Sequence, residues 1–208
     1  MKNVAILLSG RGSNFLALAD AIDSGQAPAR IALVLSNRPQ APGLKRARER
    51  GYPAVYIPST DLEREAYDRL VVRELQAAGA EIVCLAGFMR LLSPWFVRQY
   101  PLRILNIHPS LLPAFPGLHA QRQALEWGVK VTGCTVHFVD EELDHGPVIL
   151  QQSVRVQDGD TEESLSKRIL RQEHRIYPQA LRLLCMDRIQ VERRCVMVLP
   201  SPPASAPA

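Results

Sequence analysis

No apolar run in the sequence approaches the roughly 18 residues that a membrane span requires. The opening stretch, Met1 to Gly10, has one lysine and only five apolar residues in a row. That is too short for a signal-peptide core, and no small-residue cleavage site follows. Cysteine is sparse: Cys84, Cys134, Cys185 and Cys195 lie far apart, with no CxxC pair. This spacing argues against structural zinc or a disulfide framework and fits a reducing cytoplasm. Lysine supplies only four of the 25 basic residues, and no block of five or six cations occurs. A net charge of +4, spread along the chain, lacks the electrostatic footprint of a nucleic-acid binder. The expectation is a cytoplasmic protein with no metal, no nucleic-acid partner and no membrane partner.

What is present describes an ordinary globular chain. At about 150 residues per domain, 208 residues make one domain or two small ones. Hydrophobic residues at 47% and charged residues at 22% exclude a wholly disordered chain and a fibrous rod. Short apolar runs with little alternation occur at Val4–Leu8, Ile31–Leu35, Ala54–Ile57, Ile82–Ala86 and Ile104–Ile107. Such runs fit strands buried on both faces, hence a parallel sheet covered by helices. Helical patterns separate them at Phe15–Ile22, Gly43–Arg50 and Leu62–Ala78. In the last, Leu62, Ala66, Leu70, Val71, Leu75 and Ala78 form one stripe, and Thr60 and Glu63 a capping box. The alternation predicts a doubly wound α/β sheet of Rossmann-like type, with ligands at the carboxyl ends of the strands.

Beyond residue 128, Val131–Val139 and Val148–Val156 read as an antiparallel addition to that sheet. A long helix is expected from about Asp160, with acids in its first turn, running to Tyr177, where Pro178 kinks or interrupts it. Ile189–Leu199 reads as a short hairpin. Pro200–Ala208, with four prolines and no charge, reads as a disordered tail. The expected organisation is one domain over 1–199, in two halves at 1–100 and 101–199, with the tail at 200–208.

Two segments carry chemistry. Ser9-Gly10-Arg11-Gly12-Ser13-Asn14 follows the first strand and opens the first helix, where free N–H groups meet a phosphate. Phe15 replaces the third glycine of the dinucleotide fingerprint, and the second strand ends in Ser36-Asn37-Arg38 without an acid. NAD is thereby disfavoured, and the Walker lysine is missing too. A monophosphate seat and a ligand-free tight turn both remain. The second segment is Leu105-Asn106-Ile107-His108-Pro109. Residues i and i+2 of a strand share a face, so Asn106 and His108 point together. Pro109 stops the ladder beyond them. An amide beside an imidazole suits an oxyanion site for acyl transfer; a satisfied structural histidine is the plainer reading. Asp140, Glu141, Glu142 and Asp144 could supply an orienting carboxylate or be a solvated acidic turn. His119, His137 and His145 match no standard metal-ligand spacing.

Together these segments resemble the phosphoribosylglycinamide formyltransferase family, folate enzymes of purine synthesis. The likeness runs from about Asn3 to Pro178. It rests on Ser9–Asn14, Arg64–Asp68, Leu85–Arg90, Leu105–Pro113, Phe115–His119, Val136–Val139, Leu143-Asp144, Gly146-Pro147 and Gln172–Pro178. The resemblance implies formyl transfer from 10-formyltetrahydrofolate to the amine of 5-phosphoribosylglycinamide by a metal-independent enzyme. A formyltetrahydrofolate hydrolase, or another folate formyltransferase of the superfamily, is the alternative. The resemblance further implies Asn106, His108 and Asp144 as catalytic residues. It gives Gly12, Ser13 and Asn14 as the phosphate seat and Glu173 as the ribose ligand. Arg64, Met89, Arg90, Leu91, Leu92 and Asn106 become folate contacts. The expected partners are these small molecules, on a monomer or homodimer. A first strand at Asn3 and about 30 residues after Pro178 lead us to expect neither the hydrolase's N-terminal domain nor the C-terminal barrel of a tRNA formyltransferase. The family usually has a small residue after the catalytic Asp, where this chain has His145.

Overall fold

A computed structural model describes residues 1–200; the expected tail lies outside the described residues apart from Pro200. Its main sheet is built from β1 (Lys2–Leu8), β2 (Ala29–Ser36), β3 (Ala54–Tyr56), β4 (Ile82–Leu85), β5 (Ile104–His108), β6 (Val131–Phe138) and β7 (Val148–Arg155). The spatial order is β3-β2-β1-β4-β5-β6-β7. β1 to β5 pair in parallel, and β6 and β7 extend the sheet antiparallel. A separate hairpin pairs β8 (Ile189–Glu192) with β9 (Cys195–Val198). The doubly wound sheet with an antiparallel addition is therefore as expected.

The unbroken apolar runs have a direct cause. Val4, Ile6 and Leu8 of β1 enter one core, while Ala5 and Leu7 enter a second core on the other face. In β4, Ile82 and Cys84 face the first, Val83 and Leu85 the second. From Val4 to Leu8, and along β4, no position is left for a charged or strongly polar side chain. The first core is covered by α1 (Ser13–Asp23), α2 (Pro42–Glu49) and α6 (Glu162–Cys185). The second is covered by α3 (Arg64–Ala77) and α4 (Pro94–Gln99). A further short helix, α5 (Ala120–Trp127), precedes β6.

Three expectations need correction. The Thr60–Glu63 capping box does not form: Glu63 is the N-cap of α3, without a side-chain bond, and Asp61 turns the preceding chain at φ 60°. The buried stripe of α3 is Tyr67, Asp68, Val71, Val72 and Leu75, with Leu62 and Ala66 exposed. Asp68 is drawn inside because its carboxylate accepts the Ser93 amide at 2.6 Å. Finally, α6 does not stop at Pro178 but continues to Cys185. Proline in a helix interior costs about 3 kcal/mol. Ala180, Leu181, Leu183 and Leu184 beyond it are buried, at about 1.5–3 kcal/mol for each large side chain. Burial wins. The start of α6 is as the acids implied, with Glu162 and Glu163 in the first turn and a Thr161–Ser164 capping box.

Candidate active site

The chain reverses direction across the sheet between β1 and β4, the switch point where open α/β sheets form a crevice. The loop after β1 lies there. Gly12 is the N-cap of α1 at φ 74°, which glycine adopts without strain. It also touches the start of α2: a Cβ on Gly12 would lie 2.6 Å from the Cα of Gly43. A Cβ on Gly43 would lie 2.9 Å from the Cα of Gly12, and the Gly43 amide donates to the Gly10 carbonyl. The first N–H groups of α1 have no partner within the helix, so the loop offers donors to an anion.

Asn14 in this first turn donates from Nδ2 to Oε2 of Glu173 on α6 at 2.7 Å. Glu173 is 6% exposed, and burial pushes its carboxyl pKa up, partly offset by Asn14. Asn14 Oδ1 is buried without a partner. These two residues thus leave polar capacity beside the anion seat. Ser9 knits the neighbouring loops together, donating to Asn37 Oδ1 and accepting from the Met89 amide.

Asn106 and His108 come from β5, on one face as the strand period required. His108 Nε2 donates to the Phe115 carbonyl at 2.8 Å, and Nδ1 lies 3.3 Å from Asp144 Oδ2. Both ring nitrogens therefore face oxygen atoms, which fixes the plane of the ring. Asp144 Oδ2 also accepts the Gly117 amide at 2.8 Å. The 139–147 loop bends back tightly: a Cβ on Gly146 would lie 1.9 Å from the Phe138 carbonyl, so only glycine fits. Asp144 itself takes φ 50°. Of the four loop acids it alone reaches His108. Asp140 meets His145 at 2.8 Å, Glu141 meets Arg98 at 2.7 Å, and Glu142 is exposed.

His137 was missed as a member of this group. It lies beside Asn106 across the β5–β6 ladder. Its Nδ1 donates to the Phe138 carbonyl, which leaves Nε2 as an acceptor for Asn106 Nδ2 at 3.1 Å. Burial lowers the His137 pKa, consistent with a neutral ring. His119 and His145 lie elsewhere, and no metal-holding group of three or more ligand residues occurs among the described residues.

A cavity of about 150 Å³ opens in front of this cluster, lined by Arg64, Arg90, Leu92, Asn106, His137 and Asp144 among others. Leu91 lines it too, so Arg64, Arg90, Leu91 and Leu92 share one cavity wall. The Arg90 guanidinium lies 4.5 Å above the Tyr67 ring, and its Nε is buried without a partner. Met89 is different: its side chain is exposed and outside the cavity wall, while its amide binds Ser9. His108 also lies behind the wall, its side chain 5% exposed. Gly12, Ser13, Asn14 and Glu173 form a separate group. A larger groove of about 780 Å³ runs between α1 and α6 but shares only Ser13 with the predicted residues. We place the chemistry at the smaller cavity because the titratable cluster is there.

Comparison with known proteins gives the family of the chain. The chain is 47% identical over 190 residues to phosphoribosylglycinamide formyltransferase of Escherichia coli (strain K12), covering 91% of this chain and 90% of that protein. It is 52% identical over 186 residues to the trifunctional purine biosynthetic protein adenosine-3 of Drosophila melanogaster, of which it spans 14%. The crystal structure of glycinamide ribonucleotide transformylase 1 from Symbiobacterium toebii superposes with a TM-score of 0.95 at 51% identity, over 96% of this chain and 95% of that one. Residues 2–181 match the family described as Formyl transferase, and to that family the chain belongs.

Proposed function

We propose that the protein transfers the formyl group of 10-formyltetrahydrofolate to the amine of 5-phosphoribosylglycinamide. The observation that carries this is the Asn106–His108–Asp144 cluster, whose Asn106 and Asp144 share a cavity wall with two arginines. The phosphate sits on the N-terminus of α1 at Gly12, Ser13 and Asn14, and Glu173 accepts from the ribose hydroxyls. The folate lies against Leu91 and Leu92, its acidic tail toward Arg64 and Arg90, with Met89 at the outer rim. The donor set fits such a molecule, since Arg90 has an unpartnered Nε.

The neutral amine attacks the formyl carbon, and the C=O electron pair moves onto oxygen. Asn106 Nδ2 and His108 Nε2 donate to that oxyanion, each worth about 3–4 kcal/mol in comparable sites. The oxyanion replaces the Phe115 carbonyl as the His108 acceptor, and its charge makes it the stronger one. Asp144 holds the imidazolium through Nδ1. It also passes a proton, through water, from the attacking nitrogen to the departing folate nitrogen as that C–N bond breaks. His137 fixes the Asn106 amide so that Nδ2 faces the site. No covalent intermediate and no metal is required. We further assign one catalytic unit over 1–199, acting as a monomer or homodimer in the cytoplasm. Its two halves lend residues to each other, with Asn14 meeting Glu173 and Arg64 lining the same cavity as Asp144.

The test is loss of the formyl group from the folate with and without the ribonucleotide. Loss that requires the ribonucleotide supports the transferase; loss without it points to a hydrolase; no loss refutes both. Replacing His108→Ala or Asp144→Asn should lower kcat by about 100-fold or more, with either KM changed far less. Near-normal turnover in His108→Ala would remove the histidine from the chemistry.

A further inference from the structure

The 140–146 loop is fastened from outside by a part of the chain that the reaction does not use. In the turn between β8 and β9, Arg194 donates from Nη2 to the His145 carbonyl and from Nη1 to the His145 ring, 3.0 Å from Nε2. The ring in turn donates from Nδ1 to Asp140 Oδ2 at 2.8 Å, and the other Asp140 oxygen accepts the Glu142 amide. Arg194, His145 and Asp140 thus form one polar chain that closes the loop on itself and ties it to the hairpin. The hairpin is itself anchored, because Ile189, Val191 and Val196 pack on the first core. The tie matters because of what the loop holds. Asp144 adjoins His145, sits at the disfavoured φ of 50°, and places one oxygen on His108 and the Gly117 amide. Leu143 and Glu142 of the same loop wall the cavity.

We propose that Arg194 is a positioning residue: through His145 it holds the 140–146 loop in the shape that presents Asp144 to His108 and completes the folate-side wall. The proposal rests on the formyl-transfer reading for its kinetic consequence, but the clamp itself is a statement about the loop. Arg194 and His145 are both exposed, so substitution there leaves the two cores intact. The contacts are a few hydrogen bonds in water, so their loss should be felt as a severalfold effect, not an abolition.

The experiment compares the unaltered protein with Arg194→Ala, His145→Gly and the double variant. Amide hydrogen exchange across 140–146, without substrate, should quicken about threefold or more in Arg194→Ala, while the β1 and β4 amides are unchanged. In turnover, the KM for the formylfolate should rise about three- to tenfold, with the ribonucleotide KM and the thermal midpoint unchanged. Because both substitutions break one chain, the double variant should lose less than the product of the two single effects. Unchanged exchange in 140–146 overturns the clamp whatever the kinetics. Faster exchange with an unaltered formylfolate KM and kcat overturns the positioning role. Multiplicative single effects overturn the route through His145. Should the unaltered protein transfer no formyl group, the functional reading fails, and exchange still decides the clamp.

Discussion

Glu173 sits in an environment that a carboxylate disfavours. It is buried, it has one partner in Asn14, and its pKa is raised above the ordinary 4.5 by desolvation. The native state therefore holds the proton more tightly than the unfolded chain does. As pH rises through 4.5 the unfolded chain ionises first, and stability falls until the native carboxyl has ionised too. Glu173→Gln removes that slope while keeping an oxygen for Asn14. Its thermal midpoint, measured relative to the unaltered protein, should climb as pH is raised from 4.5 toward neutrality. The ribonucleotide KM should rise at the same time, since the ribose loses a charged acceptor. A midpoint difference that is flat with pH would show that Glu173 ionises normally. Other residues of the site differ in how openly the sequence displays them. Asn106 and His108 are two apart on one strand, and a period of two suffices to see them together. His137 is 31 residues from Asn106, and only the β5–β6 register puts the two side by side. Arg64 looks like any helix-start cation until the cavity is formed, so only the family likeness pointed to it.

At the scale of elements, the second half of α6 carries the stability and its middle carries the site. Tyr177, one turn beyond Glu173, is fully buried, with its hydroxyl 3.0 Å from the carbonyls of Leu85 on β4 and Leu105 on β5. This pins the helix to the sheet just where Glu173 must be held. Tyr177→Phe should cost about 1–3 kcal/mol in a denaturant titration, with the slope unchanged. It should also raise the ribonucleotide KM; a shift in stability alone would mean that the pin does not set the position of Glu173. The elements legible in the sequence were the two-faced strands, α1, α2, α3, the antiparallel β6–β7 pair, the start of α6 and the β8–β9 hairpin. α4 is six residues, under two turns, and hides behind Ser93 and Pro94. α5 is bounded by two left-handed residues, His119 and Gly128, and leaves too short a stripe to read. The expected end of α6 at Tyr177 failed because a local rule was weighed without the leucines beyond it.

On the scale of the whole molecule, the fold brings together residues that lie 159 positions apart, Asn14 and Glu173. The anion seat then inherits its shape from neighbours on both sides. α6 supplies Glu173 from the front, and α2 presses Gly43 against Gly12 from behind. Position 43 has no polar side chain and makes no contact with substrate in the proposed reaction. Yet a methyl group there would meet the Gly12 backbone at 2.9 Å and Leu8 at the same distance, where no flexible end can yield on the Gly12 side. Gly43→Ala should weaken inorganic phosphate and ribonucleotide binding together while leaving the formylfolate KM alone, a pattern that separate titrations of each ligand would resolve. A random-mutation screen for poor ribonucleotide use would thus keep returning a glycine that lies outside the proposed phosphate contacts. The footprint of substrate selection on this sequence is one layer deeper than the surface that touches the substrate.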